Sequence, residues 1–250
     1  MDNTAAYGQM DFSLPHDVIK LPSKGKFYRN KKESLKVGYL TAEDENILLS
    51  PNIGTDGIIS RLLRQKIYEP NFDINELIDA DVQAILVFLR NTSFGPEYNF
   101  TLIDPATGKE FEGAIILDSV DYVPAMHEPN EQGYFTTTLP KSGHKVVCKI
   151  MNMGDQNELE KIIQTYPKGF IAPAATKRLE KQIISIDDNE QKDYVTKIIP
   201  QLPIADSKFL RKFLNECEPK VDLKREIISP SGEKVTLNVS FGAEFFRPFF

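Results

Sequence analysis

The sequence predicts an α+β fold made of two similar subdomains, an internal duplication in which each copy has a short strand, two or three helices and a closing β-hairpin. Three observations predict this class. The pattern Leu-Pro-x-x-Gly occurs at residues 21–25 and again at 139–143. Asp81 and Asp206 are each followed by Phe at plus seven and Leu at plus eight. Each half also ends in two strand-like segments around a turn that contains Pro and Gly.

The predicted first strand of each half, residues 36–40 and 145–151, leads into a helix-start signal. A carboxylate three positions after an N-cap residue can accept a hydrogen bond from the backbone N–H of that residue. Thr41 in the first half and Asp155 in the second are each followed by such a carboxylate. The sequence therefore predicts helices that begin at these two positions.

A middle helix is predicted next in each half. Asp56 is the predicted cap of a helix over residues 57–67, and Pro173 is the predicted first position of a helix over residues 174–185. A third helix is predicted after Asp206. The apolar residues there lie at positions i, i+1, i+4, i+5 and i+8, which is the spacing of one face of an α-helix. The residues on that face are Phe209, Leu210, Phe213, Leu214 and Cys217.

The closing hairpins are predicted from alternation and turn residues. The first joins residues 99–104 to 111–117 through Pro105-Ala106-Thr107-Gly108, and the second joins 224–229 to 234–241 through Pro230-Ser231-Gly232. In the last strand apolar side chains alternate with polar ones, which predicts one buried and one exposed face. The predicted organisation is a flexible arm (1–20), a first repeat (21–122), a linker (123–138) and a second repeat (139–250).

Charge and cysteine content restrict the class of protein. The chain of 250 residues has a net charge of −6 and a pI near 5.3, which argues against a protein that binds nucleic acid over its whole surface. Cys148 and Cys217 form neither a disulfide framework nor a zinc ligand set, as expected in a reducing compartment. No apolar run has the length of a membrane span, so the sequence predicts a cytosolic protein with no membrane partner.

Motifs for catalysis or cofactor binding are few. Residues 23–26 are similar to the end of a phosphate-binding loop, but the upstream glycine and strand of that motif are missing. The three histidines lack metal-ligand spacing, and the acidic pairs at residues 79, 81, 187 and 188 stand where helices are predicted to begin, so capping explains them. The sequence thus predicts no catalytic, cofactor-binding or metal-binding residue and no enzyme activity.

The segment 243–250 is the candidate partner-binding site, because four of its last six residues are Phe. Water-exposed apolar area is unfavourable by about 25 cal/mol per Å², so these rings need a cover. Two covers remain open, the second subdomain itself and a pocket on a partner. The candidate residues are Phe245, Phe246, Arg247, Phe249 and Phe250, together with Leu21, Pro22 and Gly25 of the first repeated turn.

Several segments in order resemble the baseplate hub and hub-assembly proteins of T4-like myophages. They are Leu-Pro-Ser-Lys-Gly-Lys-Phe-Tyr at 21–28, Leu-Thr-Ala-Glu-Asp-Glu at 40–45, Asp-Ser at 206–207 and Phe-Phe-Arg-Pro at 245–248. The resemblance covers nearly the whole chain. It implies a tail-assembly protein of the host cytoplasm or of the virion baseplate, with other phage baseplate hub proteins as partners and no nucleic acid. Whether it is a permanent subunit or a transient assembly factor stays open, as does its oligomeric state.

The resemblance implies no catalytic residues. Some relatives carry paired cysteines in the hairpin turns, as a zinc site needs, whereas both turns lack cysteine here and no metal is expected. The alternative function is a metal-dependent hydrolase or nuclease. Its carboxylate site would lie between the two lobes and would use Asp81, Asp206 and nearby acids.

Overall fold

The computed structural model describes residues 15–50, 54–117, 121–167, 169–239, 241 and 243–246. Across these residues the fold is mixed α+β, with seven α-helices and five small antiparallel sheets. Four of the sheets have two strands and one has three. The predicted α+β class is therefore confirmed.

The first half contains a hairpin, three helices and a second hairpin. Its elements are β1 His16–Lys20, β2 Ser34–Gly38, α1 Ala42–Leu48, α2 Thr55–Lys66, α3 Asp79–Phe94, β3 Glu97–Ile103 and β4 Glu110–Ile116, and the short strand β5 Asp121–Val123 follows the second hairpin. A 3₁₀ turn, Ile74–Glu76, precedes α3.

The second half has a hairpin, four helices and a closing hairpin in the described residues, together with two further strands. Its elements are β6 Phe135–Thr138, β7 Lys145–Cys148, α4 Met153–Gln164, α5 Ala174–Gln182, β8 Ile183–Ile186, α6 Lys192–Ile198, α7 Ile204–Cys217, β9 Lys220–Asp222, β10 Lys224–Ile228 and β11 Lys234–Asn238. Helix α6 and strands β8 and β9 have no counterpart among the elements of the first half. Two 3₁₀ turns, Ile199–Gln201 and Ala243–Phe246, lie before α7 and after β11.

After its second helix, the chain returns to the first hairpin in both halves. In the second half β8 pairs with β7 to make the three-stranded sheet β6-β7-β8. In the first half Ile67 forms a single antiparallel bridge with Val37, and the N–H of Tyr68 donates to the carbonyl of Lys36 at 2.8 Å. The same return of the chain is thus longer in the second half.

One hydrophobic core runs through both halves. Leu35 and Leu62 of the first half and Val146 and Leu210 of the second are fully buried in the same cluster. The backbone also crosses between the halves, because β5 pairs with β9 and the N–H of Met153 donates to the carbonyl of Leu77 at 2.8 Å. The halves are therefore packed against each other over a shared core.

The helix-start predictions hold in the first half and shift in the second. Thr41 caps α1, and its N–H donates to the carboxylate of Asp44 at 2.6 Å. In α4 the cap is Asn152, and Asp155 is the third helical residue rather than the cap. The N–H of Asp155 donates to the side chain of Asn152 at 2.8 Å. Asn is as good an N-cap as Asp, and the capping box accordingly begins at Asn152, three residues before the predicted cap.

The middle helices differ from prediction at their ends. Gly54, not Asp56, is the N-cap of α2, and Pro173 is the N-cap of α5 rather than its first residue. Residues 183–185 were predicted as helix but begin strand β8. Consecutive isoleucines are β-branched and favour a strand once a partner such as β7 is available.

Both closing hairpins are confirmed. β3 pairs with β4 and β10 pairs with β11, each antiparallel. In the last strand Leu237 is buried while Thr236 and Asn238 are exposed, as the alternation predicts. Residues 16–20 of the predicted arm form β1, and residues 135–138 of the predicted linker form β6. Both segments find partners in strands that lie further along the chain, a pairing that local composition does not reveal. In the part of the chain that the structure describes, none of the helices has the length and apolar character needed to span a membrane.

Candidate partner-binding surfaces

The first Leu-Pro-x-x-Gly turn is held by a buried carboxylate. Asp81, the third residue of α3, is fully buried and accepts a hydrogen bond from the N–H of Ser23 at 2.9 Å. It accepts a second, short hydrogen bond from the hydroxyl of Tyr28, which is also buried. Burial raises the pKa of Asp81, and the hydrogen bonds from Ser23 and Tyr28 oppose the rise. Burial, and then the charge of Asp81, raise the pKa of Tyr28 well above its usual value.

Gly25 completes this turn because its backbone is left-handed, with φ of +70°. A Cβ at this position would lie 2.6 Å from the carbonyl oxygen of Lys31, which is too close for any side chain. Leu21 and Gly25 are buried and Pro22 is half-buried. Of these three predicted partner-binding residues, Pro22 retains the most surface, and the partner-binding prediction for them stays a prediction.

The second Leu-Pro-x-x-Gly turn is held in the same way. Asp206, the third residue of α7, accepts hydrogen bonds from the N–H of Lys141 at 2.7 Å and of Ser142 at 2.8 Å. Gly143 has φ of +74°, close to the value at Gly25. Burial acts to raise the pKa of Asp206, but the backbone and side-chain hydrogen bonds lower it below its usual value on balance.

The two carboxylates should therefore respond to acid in opposite directions. Because the pKa of Asp206 is lowered in the folded state, its stabilisation is complete above about pH 5 and is lost as the pH falls through the folded pKa. We expect the difference in Tm between wild type and Asp206→Asn to shrink from pH 7 to pH 3. For Asp81→Asn the difference should grow instead, since the folded pKa of Asp81 is raised. Thermal denaturation at both pH values measures this, and two parallel trends would contradict it.

The predicted capping role of the acidic pairs is wrong. None of Asp79, Asp81, Asp187 and Asp188 is an N-cap. The latter two lie in the turn after β8, where Asp187 pairs with His144 at 2.6 Å and Asp188 pairs with Lys145 at 2.9 Å. Both have positive φ, which Asp tolerates better than most residues. Asp81 and Asp187 thus hold turns rather than helix ends, whereas Asp79 accepts a hydrogen bond from the side chain of Gln83 within α3.

The carboxylates proposed for a metal site do not converge. Asp81 and Asp206 are each bonded to the turn of their own half, with buried oxygens. Within the described ranges no group of three or more His, Cys, Asp or Glu side chains is arranged to hold a metal ion. His127 lies against the ring of Phe213 with centroids 4.8 Å apart. The two acids named for the alternative hydrolase, Asp81 and Asp206, therefore do not form a common site.

A cleft of about 300 Å³ lies where the two halves meet. Asp79 and Glu218 line it together with Arg178. Burial raises the pKa of both carboxyls, and the Arg178 guanidinium opposes the rise at each. The negative charge of Asp79 further raises the pKa of Glu218. The arrangement brings two acidic side chains together at the boundary, and the positive charges of Arg178 and Lys220 partly compensate them.

Phe245 and Phe246 are core residues. Phe245 is fully buried and Phe246 nearly so, on the 3₁₀ turn Ala243–Phe246. The ring of Phe245 lies 4.7 Å from that of Phe241 and 6.0 Å from that of Tyr98, centroid to centroid. Tyr98 belongs to the first half and Phe241 to the second, so Phe245 packs against both halves. Neither ring offers exposed area to a partner, and the predicted Arg247, Phe249 and Phe250 lie outside the described residues.

The ring of Phe245 also lies next to the buried side chain of Arg90. Its guanidinium is fully buried, and it donates to the carbonyls of Gly95 at 2.7 Å and Glu97 at 2.5 Å. The Cζ atom of Arg90 lies 5.2 Å from the ring centroid of Tyr98 and 5.7 Å from that of Phe245. No carboxylate of the described residues pairs with Arg90, so two ring faces and two carbonyls stabilise the buried cation. Burial lowers its pKa, and Tyr98 opposes this.

The loop between α4 and α5 exposes the apolar side chains that the sequence analysis missed. Phe170 is 73% exposed and Ile171 is 94% exposed. Tyr166, near the end of α4, is also exposed, and Gly169 has φ of +91°. Aromatic and aliphatic side chains on a loop are the usual anchors of protein interfaces. No periodic pattern marks a Phe-Ile pair in a loop, so only the overall hydrophobicity of residues 166–173 could have indicated it.

Comparison with known proteins gives no relative. No protein-family model matches the chain, and neither a curated protein nor a solved structure matches it.

Proposed function

We propose that this chain is a bacteriophage tail baseplate hub protein or hub-assembly factor that acts through protein–protein interaction in the host cytoplasm. Its partners would be other baseplate hub proteins. The ordered sequence resemblance at residues 21–28, 40–45, 206–207 and 245–248 supports the family. The hydrogen bonding of Asp81 and Asp206 to backbone turns supports a structural role for the acids that an enzyme of this type would have used.

The exposed loop between α4 and α5 is the observation that carries the proposal. Phe170 and Ile171 together present an aromatic ring and a β-branched side chain to solvent with little cover from their own chain. When a partner covers such side chains, the free energy of binding becomes more favourable by about 25 cal/mol for each Å² of apolar area removed from water. A pocket on a hub protein would supply that cover. We assign this loop, which we call the Phe170 loop (residues 166, 167 and 169–173), as the anchor.

We further propose that the two halves arose by internal duplication. In both halves a hairpin is followed by two helices, a return of the chain to that hairpin, a last helix (α3 or α7) and a closing hairpin, and this order supports the proposal. One shared polar contact supports it too. In each half an Asp at the third position of this last helix accepts hydrogen bonds from backbone N–H groups of the Leu-Pro-x-x-Gly turn. Its partners lie 58 and 65 residues away along the chain, so local sequence preferences alone do not explain the match.

The test is the double variant Phe170→Ser with Ile171→Ser in the phage that encodes this chain. Both positions are exposed, so we expect the free energy of unfolding to change by no more than about 0.5 kcal/mol. Electron microscopy of infected-cell lysates should then show few or no complete baseplates. The matched control is Val18→Ser with Ile228→Ser, two other exposed apolar positions, and it should assemble normally.

Two results would contradict the proposal. If tails assemble fully when the gene is disrupted, the chain is not a required hub or assembly protein. If disrupting the gene blocks assembly but the loop variant assembles normally, the Phe170 loop is not the anchor.

A further inference from the structure

Helix α7 has an exposed face that is basic within an acidic protein. We define the α7 face by Ile204, Lys208, Phe209, Arg211 and Lys212, all exposed. Lys208 and Arg211 have no ion pair among the described residues, and Lys212 is 3.7 Å from Glu216. The opposite side of the helix, with Leu210 and Leu214, is buried in the core. The face therefore carries three positive charges and two exposed apolar side chains, of which Ile204 lies at the start of the helix.

The outer face of the hairpin β3-β4 has the opposite charge. We define the hairpin face by Glu97, Ile103, Glu110, Glu112 and Ile116, all exposed. The register places Ile103 opposite Glu110, and Glu97 opposite Ile116. None of the three glutamates has an ion pair among the described residues. A two-stranded sheet with one face uncovered is a layer that a helix can cover.

The two faces also match in length and in the position of their apolar ends. The 14 residues of α7 span about 21 Å, and the seven residues of β3 span about 23 Å. Met126, whose N–H donates to the carbonyl of Glu216, marks the far end of the helix. It lies about 18 Å along the axis from Ile204. On the hairpin, Ile103 and Ile116 are about 20 Å apart. All four of these side chains are more than half exposed.

From this complementarity we propose that the α7 face of one molecule docks on the hairpin face of a second copy of this chain. The lysines and the arginine meet the glutamates, and the apolar side chains at the two ends cover each other. Because the two faces are different parts of the surface, the contact is head-to-tail. Repeated, it produces a ring if the rotation closes and a filament if it does not. The inference goes beyond the proposed function and does not depend on the phage assignment.

The test is charge reversal with cross-rescue, measured by sedimentation velocity over a concentration series of the full chain. Wild type should sediment faster as its concentration rises. Arg211→Glu with Lys212→Glu gives two acidic faces, and Glu110→Lys with Glu112→Lys gives two basic faces. Each double variant alone should stay monomeric, with at least about a tenfold weaker association. An equimolar mixture should associate again, because each acidic face then meets a basic one.

The control is Lys192→Glu with Lys197→Glu on α6, which reverses two exposed charges outside both faces and should associate like wild type. Thermal denaturation checks that every variant is folded. A wild-type chain that stays monomeric at all concentrations overturns the inference. So does association that survives both reversals, or a mixture that remains monomeric. None of these results affects the baseplate experiment.

Discussion

Replacing Phe245 with alanine should lower the free energy of unfolding by about 3–5 kcal/mol, the usual cost of truncating a buried aromatic side chain. The loss has two parts. The ring contacts with Tyr98, Phe241 and Phe246 disappear, and one of the two ring faces that stabilise the buried guanidinium of Arg90 is removed. Urea denaturation followed by circular dichroism measures the change. The matched control is Phe170→Ala, which should change it by no more than about 0.5 kcal/mol because that ring is exposed.

A second variant separates these two parts. Arg90→Met removes the buried charge while keeping an apolar side chain of similar length. If the cation depends on the ring, Phe245→Ala should destabilise the Arg90→Met protein less than it destabilises wild type, because no charge is left without its ring. Equal losses in both backgrounds would show that the ring acts by packing alone. A loss below about 1 kcal/mol in wild type would contradict the buried placement of Phe245.

Replacing Asp81 with alanine should lower the free energy of unfolding by about 3 kcal/mol, because a buried N–H and a buried hydroxyl both lose their acceptor. The N–H belongs to Ser23 and the hydroxyl to Tyr28. Tyr28→Phe should cost less, since it leaves the hydrogen bond from Ser23 in place. Burial of the Asp81 carboxylate is itself unfavourable, which reduces the loss of stability. We still expect Asp81→Ala to be destabilising, because alanine accepts a hydrogen bond from neither donor.

A double-mutant cycle tests whether these residues form one network. Asp81→Ala combined with Tyr28→Phe should destabilise the chain by less than the sum of the two single changes, since the hydroxyl without an acceptor is then absent. The control pair is Asp81→Ala with Asp187→Ala, whose carboxylate serves a different turn in the other half. That pair should be additive, and additivity in the Tyr28 pair would contradict the network.

Local sequence patterns predicted the elements that depend on neighbouring residues. The hairpins follow from alternation and turn residues, and Thr41 follows from a cap and carboxylate three positions apart. Residues 183–185 were predicted as helix because their apolar spacing fits a buried helix as well as a strand. The pairing with β7 decided between the two.

The roles of single polar and aromatic residues could not be predicted, because they depend on contacts far along the chain. Asp81 looked like a helix cap, whereas its partner Ser23 lies 58 residues away. The Phe-rich segment predicts that its rings need a cover and leaves open whether the second subdomain or a partner supplies it, whereas part of the cover of Phe245 comes from Tyr98 and Arg90 of the first half. The exposure of Phe170 and Ile171 also depends on which parts of the fold lie next to their loop, and the local sequence does not determine this.

The antiparallel pair β5-β9 has a mechanical consequence. The strand Asp121–Val123 ends the first half, and its partner Lys220–Asp222 comes from late in the second. Backbone pairing between these two strands therefore joins the halves directly, in addition to the chain that connects them. Because this pair and the shared core join the halves, we expect the unfolding of one half to remove contacts that stabilise the other.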